Sequence, residues 1–409
     1  MADPSAALAR IAERRPLLID LGLDRMRAAL ERLGRPQDRL PPVFHVAGTN
    51  GKGSTCQYIR SILEAAGANV HVYTSPHLVR FNERIVLAGA EIDDDYLADV
   101  LTRCDLEVGD LPLTFFETIT CAAFLAFAEQ PADYLVLEVG LGGKLDATNV
   151  IEAPLASVVT PVALDHQQFL GDDLAGIALE KAGIFRKGAP AVVGPQSPTV
   201  MQAIEAHALK AGAYLFAYGM SWNAYIEHGR LVYQDDDGLK DLDPPRLLGM
   251  HQVMNAGLAV AALAAAGVKV DDAVLSAGLA NAQWPARMQR LKSGPIVDYV
   301  AAHMAGEPDV WLDGGHNPHA GRAVASVLAD IEEKAPRPLV LITGMQETKD
   351  AEGFYAAFAG IAASAFTVQA DHDGAAPAAD IAAAAERGGV PAYPCASIEE
   401  ALERAVGNG

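Results

Sequence analysis

The sequence predicts an α/β protein of two domains, the first organised around a mostly parallel sheet. Three observations carry this. Residues 43–66, VFHVAGTNGKGSTCQYIRSILEAA, read as strand, glycine-rich loop and helix. Residues 134–139 and 155–160 are mostly apolar runs, typical of strands covered on both faces of a parallel sheet. Strands alternate with helical stretches, and past residues 281–291 that alternation restarts. The boundary is placed so that residues 1–285 form the larger domain and 286–409 the smaller.

Length and composition fit this plan. At 409 residues the chain exceeds what one core usually holds. Hydrophobic residues make up 51% and charged residues 20%, as in ordinary globular proteins. A formal net charge of −21 argues against a nucleic-acid binder, which would carry a basic stripe. The N-terminal stretch has no apolar core of signal-peptide length, and no run approaches a membrane span. Cys56, Cys104, Cys121 and Cys395 form no C-x-x-C pair and no metal-ligand spacing, which points to reduced thiols in a cytoplasmic protein.

Taken in order, residues 5–34 read as one or two helices, with Leu23, Met26, Leu30 and Leu33 at helical spacing and Gly34 as a stop. In the unit that follows, the glycines of residues 48–53 let backbone N–H groups turn onto phosphates, and the helix start adds positive potential. Lys52 can place a charge on the phosphates, and Ser54 or Thr55 can offer a hydroxyl to Mg²⁺. The match to G-x-x-x-x-G-K-[ST] is imperfect: Val46 stands at the first glycine, and Gly53 separates Lys52 from Ser54. A tight turn that binds nothing is the alternative. Residues 69–73 form a short strand, followed by the polar loop TSPHLVRFNERI. Residues 93–104 are helical, and TFFE opens an apolar helix running to about residue 128. Residues 171–182 read as helix, 191–194 as strand, and 213–247 as a small antiparallel excursion. An alanine-rich helix begins near His251. In the second half, strands are expected at 310–312, 339–343 and 366–369.

Function in such sheets gathers at the carboxyl ends of strands. Glu138 ends one apolar run and leads into GLGGKLDATN, where a carboxylate could hold Mg²⁺; capping the strand is the alternative. Asp165–His166 ends the next, and Ser75 and His77 lie in the third loop of this rim. Lys181, taken alone, reads as a solvated surface charge. Asp313 and His316 in DGGHNP expose an acid and an imidazole at a strand-to-helix turn, where a helix cap would explain Asp313 but not His316.

HVAGTNGKGST, TSPHLVRFNERI, TFFE, LEVGLGGKLDATN, LDHQQFLG, EKAGI, LLGMHQVMN, WPAR and LDGGHNPH, in this order, resemble the dihydrofolate synthase/folylpolyglutamate synthase family of the Mur ligase superfamily. The resemblance covers nearly the whole chain. It implies an N-terminal P-loop ATPase domain like the Mur ligase central domain and a smaller Rossmann-like α/β C-terminal domain. The implied activity is an ATP-dependent amide ligase. A carboxylate of dihydropteroate or of a folate glutamate tail is phosphorylated by ATP. L-Glutamate then attacks the acyl phosphate, and ADP and phosphate leave.

The resemblance assigns roles residue by residue. Gly48, Thr49, Asn50, Gly51, Lys52, Gly53, Ser54 and Thr55 are nucleotide-binding, joined by Asn255, Arg287, Asp313 and His316. Ser54, Ser75, Glu138, His166 and Lys181 are metal ligands, Lys181 as a carbamylated lysine. Arg84, Thr114, Phe116, Asp146 and Ala147 lie at the pterin end. Lys52, Lys181 and His316 are implicated in catalysis. The implied cofactors are ATP, Mg²⁺ at two sites and a monovalent cation such as K⁺. The implied partners are dihydropteroate or reduced folates and L-glutamate, with no nucleic acid and no membrane, and the implied state is a cytoplasmic monomer. The chain departs from the family pattern at Ala286 (for the glycine of WPGR), Gly315 (for the alanine of GAHN), Lys144 (for arginine) and GMQETKD.

Two other functions compete. One is another Mur-type amino-acid ligase. A UDP-sugar substrate would call for a further N-terminal domain, and only residues 1–42 precede the phosphate-loop unit. The other is a non-catalytic ATP-binding switch, which would need Lys52 and Glu138 but not Lys181, Asp313 or His316.

Overall fold

The structure, a computed structural model, describes residues 4–14, 22–304 and 308–407. The described chain divides into two compact units, one of residues 1–246 and 252–282, the other of residues 247–251 and 283–409.

The first unit opens with helices α1 (Pro4–Arg14) and α2 (Asp24–Arg32). The part of the predicted helical stretch at 15–21 lies outside the described residues. Then come β1 (Val43–Ala47), α3 (Lys52–Ala65), β2 (Val70–Tyr73), β3 (Ile85–Leu87), β4 (Ala90–Glu91), α4 (Asp94–Val108), α5 (Phe115–Glu129) and β5 (Tyr134–Glu138). They are followed by β6 (Ala156–Val159), α6 (Gln167–Leu170), α7 (Leu174–Ala182), β7 (Pro190–Val193), α8 (Pro198–Ala211) and β8 (Tyr214–Ala217). These strands form one eight-stranded sheet in the order β4-β3-β2-β5-β1-β6-β7-β8. It is parallel from β2 to β8, with β3 and β4 added antiparallel at one edge.

Alternation along each strand assigns its residues to faces. Val43 and Leu135 share a core with residues of α1, α2, α4 and α5. On the same face, Ala47, Val159 and Val193 share another with α7 and α8. Phe44, Val46, Val136 and Val158 are buried on the opposite face, where α3 lies along β1, β2 and β5. The helix starts follow local chemistry. Thr114 and Glu117 close a capping box at α5, Asp173 caps α7, and Ser197 precedes Pro198 at α8. The Asp173 cap explains why α7 begins at Leu174, later than the sequence suggests.

The predicted excursion at 213–247 divides in two. β8 joins the large sheet beside β7, while β9 (Trp222–Glu227), β10 (Arg230–Asp235) and β11 (Gly238–Leu242) make a separate antiparallel sheet. Edge position leaves Tyr214 exposed, which weakens its apolar pattern. Helix α9 (Met250–Ala265) packs Gly257 against Ala224 and Trp222, and α10 (Asp272–Asn281) packs on α3.

The second unit holds β12 (Gln289–Leu291), α11 (Pro295–His303), β13 (Val310–Leu312), α12 (Pro318–Lys334), β14 (Leu339–Thr343) and α13 (Ala351–Tyr355). It ends with β15 (Ala362–Thr367), α14 (Ala378–Arg387), β16 (Ala392–Pro394) and α15 (Ile398–Gly407). β12 and β13 pair antiparallel, and β14, β15 and β16 form a parallel sheet. Its core joins Phe354, Tyr355, Phe358, Ala365 and Ile381.

Candidate active site

Four neighbouring parallel strands, β2, β5, β1 and β6, end on one edge of the large sheet. The loops leaving them carry most of the residues singled out by sequence.

The loop after β1 is held from below. Thr49 and Asn50 donate their N–H groups to the Pro161 carbonyl, at 3.1 and 3.3 Å. The Thr49 hydroxyl is tied to the Ala163 backbone, 3.0 Å from both its N–H and its carbonyl. Two glycines are required by contact. A Cβ at Gly48 would come within 1.8 Å of the Thr160 hydroxyl, and one at Gly51 within 2.4 Å of Asn255 Oδ1. Both also have positive φ, +148° and +88°. Lys52 is the first residue of α3, and its ammonium donates to the Thr49 carbonyl at 3.3 Å. Such a turn at a helix start is an anion-binding geometry. Gly53 is half-buried at this helix start, and Thr55 is fully buried behind it.

Ser54 is buried, and its hydroxyl accepts from Gln252 Nε2 at 3.2 Å. Gln252 in turn accepts from Asn255 Nδ2 at 3.1 Å. Gln252 escaped the sequence reading. Its signal is a glutamine and an asparagine one turn apart on an otherwise apolar, small-residue helix.

Glu138 ends β5 in a buried position, and its carboxylate accepts from the Ser75 N–H at 3.2 Å. The Ser75 backbone and the Glu138 carboxylate are thereby brought together. Ser54, Ser75 and Glu138 supply oxygen, the donor type Mg²⁺ prefers, and a buried carboxylate favours a cation beside it. The donor set fits that metal. Among the described residues no three of His, Cys, Asp and Glu cluster as a metal site, so such an ion would lean on hydroxyls, water and phosphate. His166 is exposed on the loop after β6, in the left-handed region with φ 51°, and its N–H donates to the Asp165 carboxylate at 2.8 Å.

Lys181 is buried, not a solvated surface charge. Its amine donates to the Gly48 carbonyl at 3.0 Å. Burial, with repulsion from Lys52, brings its pKa down to about 7, against the pull of Asp165, Asp146 and Glu180. The loop after β5 causes the burial. A Cβ on Gly143 would come within 2.6 Å of the Glu180 carbonyl, which also accepts from the Lys144 N–H at 2.7 Å.

That loop is organised by Asp146, which is buried. One carboxylate oxygen accepts from the Leu141 N–H at 2.9 Å. The other accepts from the Thr148 N–H at 2.9 Å and its hydroxyl at 2.5 Å. Burial pushes the Asp146 pKa up, against these donors. Beneath it, His45 Nε2 lies 2.9 Å from the Thr148 hydroxyl. Ala147 is part of the core. The half-buried Phe116 ring lies 6.3 Å from Tyr73 and packs on Gly140, where a Cβ would come within 2.4 Å of it. The Thr114 hydroxyl accepts from the Glu117 N–H at 3.1 Å as the α5 cap, and Glu117 pairs with Arg25 at 2.8 Å. Arg84 donates to His77 Nδ1 at 2.9 Å and stacks over Phe81 at 5.3 Å. Glu83, which the sequence reading passed over, accepts from the N–H groups of Leu78, Val79 and Arg80 at 2.7, 2.8 and 2.6 Å and shapes this loop.

In the second unit, Asp313 is not a helix cap; Asn317 caps α12, accepting from Ala320 N–H at 2.9 Å. The Asp313 carboxylate accepts from Met288 N–H at 2.8 Å and Gly315 N–H at 2.7 Å, fastening residues 286–288 to the turn after β13. Arg287 donates to the Ala286 carbonyl at 2.7 Å. Ala286, which stands for a family glycine, has φ 53°. His316 is exposed, with Nδ1 3.0 Å from the Gly314 carbonyl.

Comparison with known proteins covers both units. Residues 46–263 match the Mur ligase middle domain, and residues 287–408 match the Mur ligase glutamate ligase domain. The chain is 39% identical over 336 residues to the Escherichia coli K12 dihydrofolate synthase/folylpolyglutamate synthase, covering 82% of this chain and 74% of that one. The fold matches E. coli FolC in complex with DHPP and ADP, with TM-score 0.87 and 33% identity, over 100% of this chain and 92% of the other. It also matches a bifunctional folylpolyglutamate synthase/dihydrofolate synthase with Mn, AMPPNP and L-glutamate bound, with TM-score 0.86 and 32% identity, over 100% and 93%.

Proposed function

The chain belongs to the dihydrofolate synthase/folylpolyglutamate synthase family of Mur ligases, and from that premise we propose how its residues carry the family's reaction. It is an ATP-dependent ligase that joins L-glutamate to dihydropteroate and to the glutamate tail of folates. The substrate carboxylate attacks the γ-phosphorus, and the bond to ADP breaks. The α-amine of glutamate then attacks the acyl carbon, phosphate leaves, and the amine loses a proton.

On this reading the loop from Gly48 to Thr55 receives the phosphates, with Lys52 balancing charge that builds on the transferring group. Ser54, Ser75, Glu138, His166 and Lys181 would hold divalent metal at two sites, and the metal would supply positive charge against the phosphates. Lys181 does so as a carbamate, formed when its neutral amine takes up CO₂ and releases a proton. A monovalent cation such as K⁺ would complete the set. Asn255, which lies against Gly51, contacts the nucleotide together with Arg287, Asp313 and His316 of residues 286–409. Arg84, Thr114, Phe116, Asp146 and Ala147 receive the pterin end. The protein acts as a cytoplasmic monomer, and no helix among the described residues is long and apolar enough to cross a membrane.

The observation that carries this reading is Lys181: a buried amine on the Gly48 carbonyl, with its pKa brought down to about 7. A nucleotide switch has no use for such a group, whereas carbamate formation needs an uncharged amine. The test is phosphate release from ATP with glutamate and either dihydropteroate or tetrahydrofolate. Release should require all three components; turnover indifferent to glutamate and pteroate would defeat the reading.

A further inference from the structure

We propose that His45 and Thr148 form a buried relay that holds Asp146 as a hydrogen-bond acceptor. Both would then be positioning residues for the pterin end of the substrate. This rests on the reading that Asp146 meets that end.

His45 and Thr148 have no exposed surface, and Asp146 is 3% exposed. The three are linked in a line: His45 Nε2 to Thr148 Oγ1 at 2.9 Å, and Thr148 Oγ1 to Asp146 Oδ1 at 2.5 Å. His45 Nδ1 is buried with no hydrogen-bond partner.

A hydroxyl has one proton, so the line has two directions. In one, Thr148 donates to an ionised Asp146 and accepts from His45 Nε2–H, leaving Nδ1 a bare lone pair. In the other, a protonated Asp146 donates to Thr148, Thr148 donates to Nε2, and the histidine proton sits on Nδ1. That second arrangement buries an N–H with no acceptor, which folded proteins avoid more strictly than an unused lone pair. The empty surroundings of Nδ1 therefore select the first direction, in which Thr148 donates to Asp146 Oδ1. Oδ2 meanwhile accepts from the Leu141 N–H, so both carboxylate oxygens act as acceptors, and these donors oppose the upward push of burial on the Asp146 pKa. Burial, helped by Arg186, brings the His45 pKa down to about 3, so the ring stays neutral and carries a single proton.

The consequence is chemical. An ionised Asp146 can accept from the ring N–H and amino groups of a pterin, whereas a protonated one would meet them donor to donor. Because β1 runs directly into the phosphate loop, the relay also ties the substrate loop to the strand carrying that loop.

Thr148→Val removes the hydroxyl at nearly constant shape, and Thr148→Ser keeps it. Thr148→Val should raise the KM for dihydropteroate about tenfold while leaving the KM for ATP within about twofold, and Thr148→Ser should restore it. His45→Gln combined with Thr148→Val should be no worse than Thr148→Val alone. With ¹⁵N-labelled histidine, the wild-type ring should show the Nε2–H tautomer. An Nδ1–H tautomer would overturn the relay, as would Thr148→Val raising both KM values equally. If Asp146→Ala raises the KM for dihydropteroate and Thr148→Val does not, the relay is wrong and the reading of Asp146 stands. If Asp146→Ala leaves that KM unchanged, the reading of Asp146 itself fails.

Discussion

At the scale of single residues, His45 links folding to acid. Its ring titrates near pH 6.5 in an unfolded chain and near 3 in the folded one. Between those values the unfolded chain takes up a proton that the folded protein refuses, so stability falls as pH drops through the window, by up to ~1.4 kcal/mol per unit. Going from pH 7 to pH 5, the wild type should lose ~2 kcal/mol more than His45→Gln in urea unfolding; equal losses would show that this ring does not titrate as its burial requires. Lys52 makes a different prediction, since its ammonium donates to loop backbone at the Thr49 carbonyl and not into the core. Lys52→Ala should lower kcat at least tenfold, ~1.4 kcal/mol of transition-state stabilisation, with the melting temperature unmoved. Retained turnover would remove it from the reaction. Lys181 should carry the mass of one carbamate in intact-protein spectra taken in bicarbonate. Lys181→Ala should recover activity with short carboxylic acids, and a lysine unmodified in active enzyme would count against the carbamate.

At the scale of elements, the strand–loop–helix from β1 to α3 has little room to vary. Gly51→Ala would put a Cβ at φ +88° and 2.4 Å from Asn255 Oδ1. Strain alone should cost ~1–2 kcal/mol, and calorimetry should show weakened ATP binding; full affinity would mean that this turn does not cradle phosphate. The start of α5 separates two roles for Thr114. If its hydroxyl serves only as the cap, Thr114→Ala should lower stability by ~1 kcal/mol and Thr114→Ser by much less, with the KM for dihydropteroate unchanged in both. A raised KM in Thr114→Ala would add substrate contact to capping. These elements also show what a sequence can reveal. The apolar runs of β1, β5 and β6 are local patterns, and so is the glycine loop with Lys52, so both can be read directly. The burial of Lys181 is not local, because it depends on Gly143 and Lys144 folding back onto the Glu180 carbonyl. Gln252 is hidden for a related reason. Its quality as a buried polar residue appears only once Ser54, far away in sequence, is brought to its amide. His45 reads as one polar letter in a strand until Thr148 arrives from another loop.

At the scale of the molecule, the proposed nucleotide residues come from both compact units. An ATP analogue and pteroate together should therefore reduce the radius of gyration in small-angle scattering, and neither alone should do so fully; identical curves would speak against closure on the substrates. The path of the chain has a further consequence for heredity. Residues 247–251 cluster with the second unit, whereas residues 252–282 return to the first. No single crossover in the gene can therefore exchange the second unit whole without also carrying residues 252–282 of the first. A chimera joined at residue 283 would keep one parent's Gly249 and His251 beside the other parent's Val327. Gly249 has φ +105°, and a Cβ there would lie 2.5 Å from Val327 and 2.7 Å from His251. A seam with so little slack should bias recombination among relatives toward exchanges in which this short strap and the body it packs on descend from the same parent.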